Sequence, residues 1–357
     1  FAESSTGVLI CAAKAENGYL KSEYLKMIQT RENGKTVQSY GDLSPVLHLI
    51  LSSPNFSAKP TETLPLSRYM GTPYGIMTAR TSWQEGADAK SAAAVMKIGE
   101  YMFNNHQHLD SGNFEIYYKG LLAAEGGNYD LYGTEEHNMY TSKSVAHNTM
   151  LVYDPNEVRR DSDGNIINDR SNINDGGQRA VYGYREALTL GEVTDNGQMK
   201  HAAVTAHEID PRHTQKPEYT YLKGNLTDAY TDKVSDYTRS FMFLDTQDDE
   251  VPAAMLIFDR VTASDKTFKK TWLLHSTAKP KIGAAAADFN LDGGEYSGKM
   301  RLETLLPKSD NLNMTVVGGE EGFGVVNQYK YNGSGWSVTE SRNYATKKAE
   351  GTESNTY

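Results

Sequence analysis

The sequence predicts a mainly β protein, a large antiparallel β-sandwich preceded by a short helical segment, and three observations carry that prediction. From Tyr74 onward, short runs of alternating apolar and polar residues recur, with polar turns between them and no helical periodicity. Before about residue 60 the apolar residues instead return at helical spacing. The 357 residues, 38% of them hydrophobic, suffice for a real core, and 23 tyrosines suit either a sandwich interior or a surface that stacks on sugars.

Along residues 1–60, Leu9, Ile10, Ala12 and Ala13, then Tyr24, Leu25 and Ile28, then Leu43, Val46, Leu47, Leu49 and Ile50 recur on helical faces. Three short helices follow, the third opened by Ser44-Pro45, since proline suits the first helical position. Their apolar faces need a partner, and the rest of the chain supplies strands. Residues 1–60 are expected to be the C-terminal end of a larger helical domain, the alternative being a self-contained helical cap on the β domain. Pro54, Pro60 and Pro65 among Ser, Thr and Lys mark connecting chain, with residues 61–73 as the linker. The sandwich is expected over 74–328, with strands at 75–81, 94–101, 113–119, 148–153, 187–193, 202–209, 219–222, 237–244, 254–261, 269–275, 299–304 and 313–317. The stretch 154–179 is a long polar loop, and loops of that length in compact domains are usually functional or mobile. Residues 329–357 form a polar C-terminal segment, a last hairpin or a tail.

Several classes are excluded or constrained. No apolar run approaches the roughly 20 residues of a membrane span. Phe1 opens the chain without an initiator Met or a signal-peptide pattern, so the start reads as a processed or cut end. The single cysteine, Cys11, rules out an internal disulfide framework and any multi-Cys zinc site, leaving His and carboxylates as metal ligands. A net charge of −10 argues against a general nucleic-acid binder.

The chemistry concentrates in Asn104-Asn105-His106-Gln107-His108-Leu109-Asp110, which runs into the alternating Phe114, Ile116 and Tyr118. Read as the end of a strand, this places His106 and His108 on one face. Downstream come Glu125 before Gly126-Gly127, His137, and His147 at the mouth of an apolar strand. Two histidines and one carboxylate on neighbouring strands make an open zinc site, with His108, Glu125 and His147 as ligands. Each taken alone has a plainer reading: a turn carboxylate, or a satisfied histidine at a strand end.

These residues resemble the heparinase II/III-like polysaccharide lyases, on the heparinase II side. The resemblance is carried by Thr78-Ala79-Arg80-Thr81-Ser82-Trp83, by Asn105–Asp110 running into Ile116-Tyr117-Tyr118-Lys119-Gly120, and by Ala146-His147-Asn148-Thr149-Met150-Leu151-Val152-Tyr153-Asp154-Pro155. Further matches are Tyr237–Phe241, Phe258–Val261 and Lys269–Ser276. It implies an N-terminal α/α toroid followed by antiparallel sandwich layers, so the helices of 1–60 become a remnant of the toroid. It implies cleavage of a uronic-acid-containing acidic polysaccharide, of the heparin or heparan sulfate kind, by β-elimination. In that reading His106 is the catalytic histidine and Asn105 donates to the uronate carboxyl. His108 and His147 match the family's zinc ligands, and Glu125 stands where the family usually has Asp. Tyr129, His137 and Tyr140 resemble groove residues, or else pack at a strand end. Expected partners are the polysaccharide, the missing toroid domain or chain, and a second copy in a homodimer. The expected location is the bacterial periplasm or outside the cell.

Rival readings start from the same residues. His106-x-His108-x-Asp110 also opens the metallo-β-lactamase-like signature, but Ser111 stands where that signature requires His. A sandwich that binds carbohydrate without cleaving it is the non-enzymatic alternative, and alginate is an alternative substrate suited to the acidic net charge. Asp288–Gly293 imitates a calcium loop, yet Lys299 replaces the closing Glu and a hairpin is expected. Arg159, Arg160, Arg170 and Arg179 in the long loop match sulfates or carboxylates of a glycan, or else pair with nearby Asp.

Overall fold

The computed structural model of the protein describes residues 5–32, 35–38, 45–52, 56–86, 88–103, 106–127, 137–157, 174–180, 189–195, 197–292, 296–318, 325–331 and 336–343. The chain divides into two compact units, 1–65 and 66–357. In the first unit, α1 (Ser5–Lys14) and α2 (Gly18–Met27) precede a hairpin of β1 (Gln29–Glu32) and β2 (Lys35–Gln38), and α3 (Pro45–Leu51) follows. Asn17 caps α2, its side chain accepting from the amides of Tyr19 and Leu20, and Pro45 opens α3 as its fixed φ favours. Leu9, Tyr24 and Ile28 are buried together, with Val8, Leu25 and Leu51 packed around them. The hairpin was not expected, although Asn33-Gly34 between two short runs is a strong signal for one.

The second unit is the antiparallel β-sandwich. Its first sheet is β3 (Ser67–Met70), β4 (Ile76–Arg80), β5 (Ala92–Lys97), β6 (Phe114–Tyr118) and β7 (Leu121–Ala123), paired in sequence order. Then come β8 (Met150–Tyr153) and the one-turn helix α4 (Leu190–Thr194). The second sheet consists of β9 (Ala203–Ile209), β10 (Tyr219–Asn225), β11 (Val234–Asp245) and β12 (Ala253–Ala263), again as a meander. β13 (Lys269–Trp272) returns to pair with β8. The three-stranded sheet of β14 (Lys281–Ile282), β15 (Ala286–Asn290) and β16 (Lys299–Glu303) follows, and the hairpin of β17 (Val325–Tyr331) and β18 (Trp336–Asn343) comes last. Every pairing among the described strands is antiparallel, so neighbouring strands within a sheet need no helical crossover between them.

The core lies between the two larger sheets. Met77, Ala79, Ala92, Ala94, Met96 and Phe114 from the first share one buried cluster with Leu222, Tyr237, Phe241 and Phe243 from the second. Each large side chain so buried contributes about 1.5–3 kcal/mol relative to exposure. The inward positions follow the period of two: Met77 and Ala79 on β4, and Ala92, Ala94 and Met96 on β5. On β11 the same alternation brings Tyr237, Arg239, Phe241 and Phe243 inward, so a guanidinium occupies a core position.

Four local expectations differ from the structure. β6 begins only at Phe114, and residues 106–113 are loop and turn, with the Asn113 amide donating to the Asp110 carbonyl at 3.0 Å and Gly112 at φ 84°. The turn chemistry of Asp110-Ser111-Gly112-Asn113 wins over strand extension, so His106 and His108 do not sit on a strand face. Of the predicted strand 187–193, the described residues from Leu190 are helical, because Thr189 caps them by accepting from the Glu192 amide. Residues 313–317 pair with no described strand. β3 lies within the stretch expected as linker.

His201 is buried, its Nε2 has no hydrogen-bond partner among the described residues, and burial with the nearby Arg179 charge pushes its pKa down to about 3. The unfolded chain takes up a proton near the ordinary value of 6.5 and the folded one does not, so this stability is complete above pH 6.5 and is lost as pH falls toward 3. Urea titrations at pH 7.5 and 5.5 should show a drop of about 1.4 kcal/mol from this group, which His201→Gln removes. An unchanged pH difference in that variant would show that His201 is not responsible.

Candidate functional site

Three side chains from separate segments converge beside the first sheet. His108 Nδ1 lies 3.0 Å from His147 Nε2 and 3.7 Å from a Glu125 oxygen, and His147 Nε2 lies 3.4 Å from the other Glu125 oxygen. A tetrahedral zinc ion with Zn–N bonds of 2.0–2.1 Å requires ligand atoms roughly 3.3 Å apart, close to these three edges. His147 is wholly buried, whereas His108 and Glu125 are partly exposed, so a fourth ligand position can face outward.

The donor chemistry also fits a cation. The Nδ1 of His147 lies 2.7 Å from the Lys143 carbonyl and donates to it, which fixes the tautomer and leaves the Nε2 lone pair facing the triangle. Two ring nitrogens 3.0 Å apart repel unless a proton or a metal ion lies between them. Burial alone would raise the Glu125 carboxyl, but the His147 and His108 imidazoles outweigh it and hold the carboxyl well below its usual range. Conversely, burial lowers His147, and the Glu125 carboxylate outweighs it and drives its pKa up. The Glu125 carboxylate and the His147 imidazole thus favour each other's charged forms. The other His–carboxylate grouping among the described residues, Asp210, His213 and Glu218, already has its cation: Arg212 reaches Asp210 at 3.3 Å and Glu218 at 3.5 Å.

Local sequence explains how the segments meet. A turn of 3-10 helix, Ser144–Ala146, follows the π-helical turn His137–Thr141 and delivers His147 into the interior. Ser144 Oγ donates to the Leu109 carbonyl at 2.7 Å, and the Leu109 amide donates to Ser142, which stitches the His108 segment to the His147 segment. The Gly126 amide donates to the Ala146 carbonyl at 2.7 Å, bringing Glu125 alongside His147. A Cβ at Gly126 would lie 2.3 Å from the Tyr140 hydroxyl and 2.7 Å from His275 Cδ2, so a larger residue there displaces one of these buried rings. Lys97 grips both oxygens of Asp110, at 2.7 and 2.6 Å, two residues beyond His108.

The remaining candidates separate by position. His106 is exposed and adopts a left-handed backbone at φ 60°, a conformation uncommon for residues other than glycine and often found at functional sites. His137 packs edge-on to His108 with ring centroids 6.3 Å apart, so it belongs to the same neighbourhood. Tyr140, expected in a groove, is instead buried, with its hydroxyl against Gly126. Asn105, Tyr129, Arg159, Arg160 and Arg170 lie outside the described residues. Arg179 is committed to the backbone, donating to the carbonyls of Asp228, Gln198 and Lys200 at 2.7, 2.9 and 2.7 Å.

Sequence reasoning passed over the groups that hold the site. Asn148, Gln178, Arg239 and His275 are all buried and all bonded to site segments. The Gln178 side chain accepts from the Ser111 amide at 3.0 Å and donates to its carbonyl at 2.7 Å, fastening the end of the long loop to the turn after His108. Arg239 was the one with a signal, a charged residue at an inward β position between Tyr237 and Phe241.

The comparisons with known proteins bear on the family and the sandwich. No curated protein matches the chain. A solved structure of a heparinase III is similar at 16% sequence identity with a TM-score of 0.45, the match covering 92% of this chain and 36% of that one. The C-terminal family described as heparinase II/III-like matches residues 74–354, which include every strand from β4 to β18 and all three residues of the triangle. The chain therefore belongs to the heparinase II/III-like family.

Proposed function

We propose that the protein is a polysaccharide lyase that cleaves a uronic-acid-containing acidic polysaccharide, of the heparin or heparan sulfate kind, by β-elimination, with residues 74–328 supplying the sandwich half of the site. The observation that carries this reading is the exposed His106, two residues before His108 in the convergent set of His108, Glu125 and His147, in a chain that the heparinase II/III-like family matches over 74–354.

Elimination removes the C5 proton of the uronate and expels the C4 oxygen, and that proton becomes acidic enough only when donors neutralise the adjacent carboxylate. In this proposal Asn105 donates to the carboxylate and His106 moves the proton, while His137 lines the sugar's approach. Tyr129, Arg159 and Arg160 are carried in the same proposal as contacts to the polysaccharide. One zinc ion held by His108, Glu125 and His147 would supply positive charge that ties three chain segments together, a mainly structural role. Residues 1–60 are read as toroid helices, 61–73 as linker and 329–357 as a terminal β segment, with a second copy as partner. The proposed location is the bacterial periplasm or outside the cell; no described helix is long and apolar enough to cross a membrane.

The test is to incubate the protein with heparan sulfate, chondroitin, hyaluronan and alginate and follow the ultraviolet absorbance of the unsaturated uronate, with elemental analysis of the same preparation. Elimination on heparan sulfate together with about one zinc per chain is the expected result. Binding of the polysaccharides with no unsaturated product would make this a carbohydrate-binding sandwich instead. Elimination on alginate alone would move the substrate class.

A further inference from the structure

We infer that Asn148 is a positioning residue of this centre, holding the Glu125 and His147 side chains at the separation that one metal ion takes. The inference rests on the metal reading above. Asn148 is wholly buried, and every donor and acceptor of its side-chain amide is used on a segment that shapes the triangle. Its Nδ2 donates to the Phe114 carbonyl at 2.7 Å, at the start of β6, and to the Ala124 carbonyl at 2.9 Å, one residue before Glu125. Its Oδ1 accepts from the His275 amide at 2.6 Å, and His275 in turn accepts from the Ala124 amide at 3.1 Å, so the Glu125 segment is held from both sides. The Asn148 amide donates to Asn113 Oδ1 at 2.9 Å, and its carbonyl accepts from Arg239 at 2.8 Å.

His147 is the preceding residue, so the peptide that carries one proposed ligand is pinned by its neighbour to the peptide that carries another. An amide has two donors and two acceptor lone pairs, and few side chains offer both on so short an arm. Aspartate has the shape but no donors, so it would face the Phe114 and Ala124 carbonyls with like charge. Serine keeps one donor but falls short of the far carbonyl. Either change leaves the three ligands in place and removes what fixes their spacing, the condition under which supporting-residue substitutions typically cost roughly 10–100-fold in metal affinity.

The experiment measures Zn²⁺ affinity by competition with a chromophoric chelator, and the visible spectrum of the Co²⁺-substituted protein. The samples are the wild type, Asn148→Ser, Asn148→Asp and a control, Thr220→Val, which breaks the buried 2.7 Å bond between Thr220 and Ser67 outside the centre. The expected result is a loss of roughly tenfold or more in Zn²⁺ affinity and an altered Co²⁺ spectrum for the Asn148 variants. Thr220→Val should lose stability but keep the wild-type affinity and spectrum. Folded Asn148 variants with wild-type affinity and spectrum overturn the positioning role while leaving the metal reading intact. A wild type that takes up no Zn²⁺ removes the metal reading and this inference with it. Should neither Asn148 variant fold, the wild type decides by hydrogen exchange of the Asn148 side-chain amide: slowing on Zn²⁺ addition supports the role, and an unchanged rate overturns it.

Discussion

His106→Ala is expected to lower the elimination rate by about 10²–10⁴-fold, the usual contribution of a positioned acid or base, while zinc content and melting temperature stay near wild type. The structure separates the two outcomes because His106 is exposed and stands two residues before His108, outside the core clusters. A packing role needs burial, and truncating an exposed side chain usually changes stability by less than about 0.5 kcal/mol. Initial-rate measurements on the preferred polysaccharide, beside a thermal melt, decide it. Activity retained within a few-fold removes His106 from the chemistry. Its left-handed backbone adds a second handle: glycine relaxes φ 60° and alanine does not, so a marked difference in stability between His106→Gly and His106→Ala would measure strain held at this position.

Arg239→Met should cost about 3–5 kcal/mol of stability, the typical penalty for removing one partner of a buried ion pair. The Arg239 guanidinium is wholly buried, forks onto both oxygens of Asp259 at 2.7 Å, and donates through one nitrogen to the carbonyls of Gly112 and Asn148 at 2.5 and 2.8 Å. Methionine fills similar volume but leaves a largely buried carboxylate without its cation and two carbonyls without the guanidinium donor. The Tyr237 hydroxyl still donates to Asp259 at 3.2 Å, which offsets only part of that loss. Arg239→Met combined with Asp259→Asn should recover much of the stability, because no unpaired charge then remains. Chemical unfolding of the single and double variants checks both statements, and a single-variant loss below about 1 kcal/mol would show the pair to be dispensable.

The architecture was legible because antiparallel meanders write themselves as alternation. Met77/Ala79, Ala92/Ala94/Met96 and Phe241/Phe243 announce their strands and their inward faces without help from distant sequence. The helices of 1–60 were legible for the same reason, one period being visible at a time. What escaped was decided by competition at short range or by partners far along the chain. Residues 106–113 carry both apolar and turn signals, and Asp110 and Gly112 tipped them to turn. Leu190–Thr194 looked apolar enough for a strand until the Thr189 cap is considered. His108, Glu125 and His147 were nameable as a set, yet the groups bracing them were not. Nothing near Gln178 in sequence says that its amide meets Ser111, 67 residues earlier.

The order in which the chain is synthesised acquires significance from the Arg239 and His275 bonds. All three side chains of the proposed metal site emerge within the stretch 108–147, but Arg239 reaches Asn148 across 91 residues and His275 reaches it across 127. A ribosome therefore exposes a complete set of ligands well before the second sheet and β13 exist to shape them, and the long-range pairing of sheets is the slow part of such folds. Metal captured early would be held by a loose, solvent-filled pocket and tightened only when β11, β12 and β13 close behind it. The centre would then serve as a clasp for the last step of folding, gaining its affinity as the sandwich shuts.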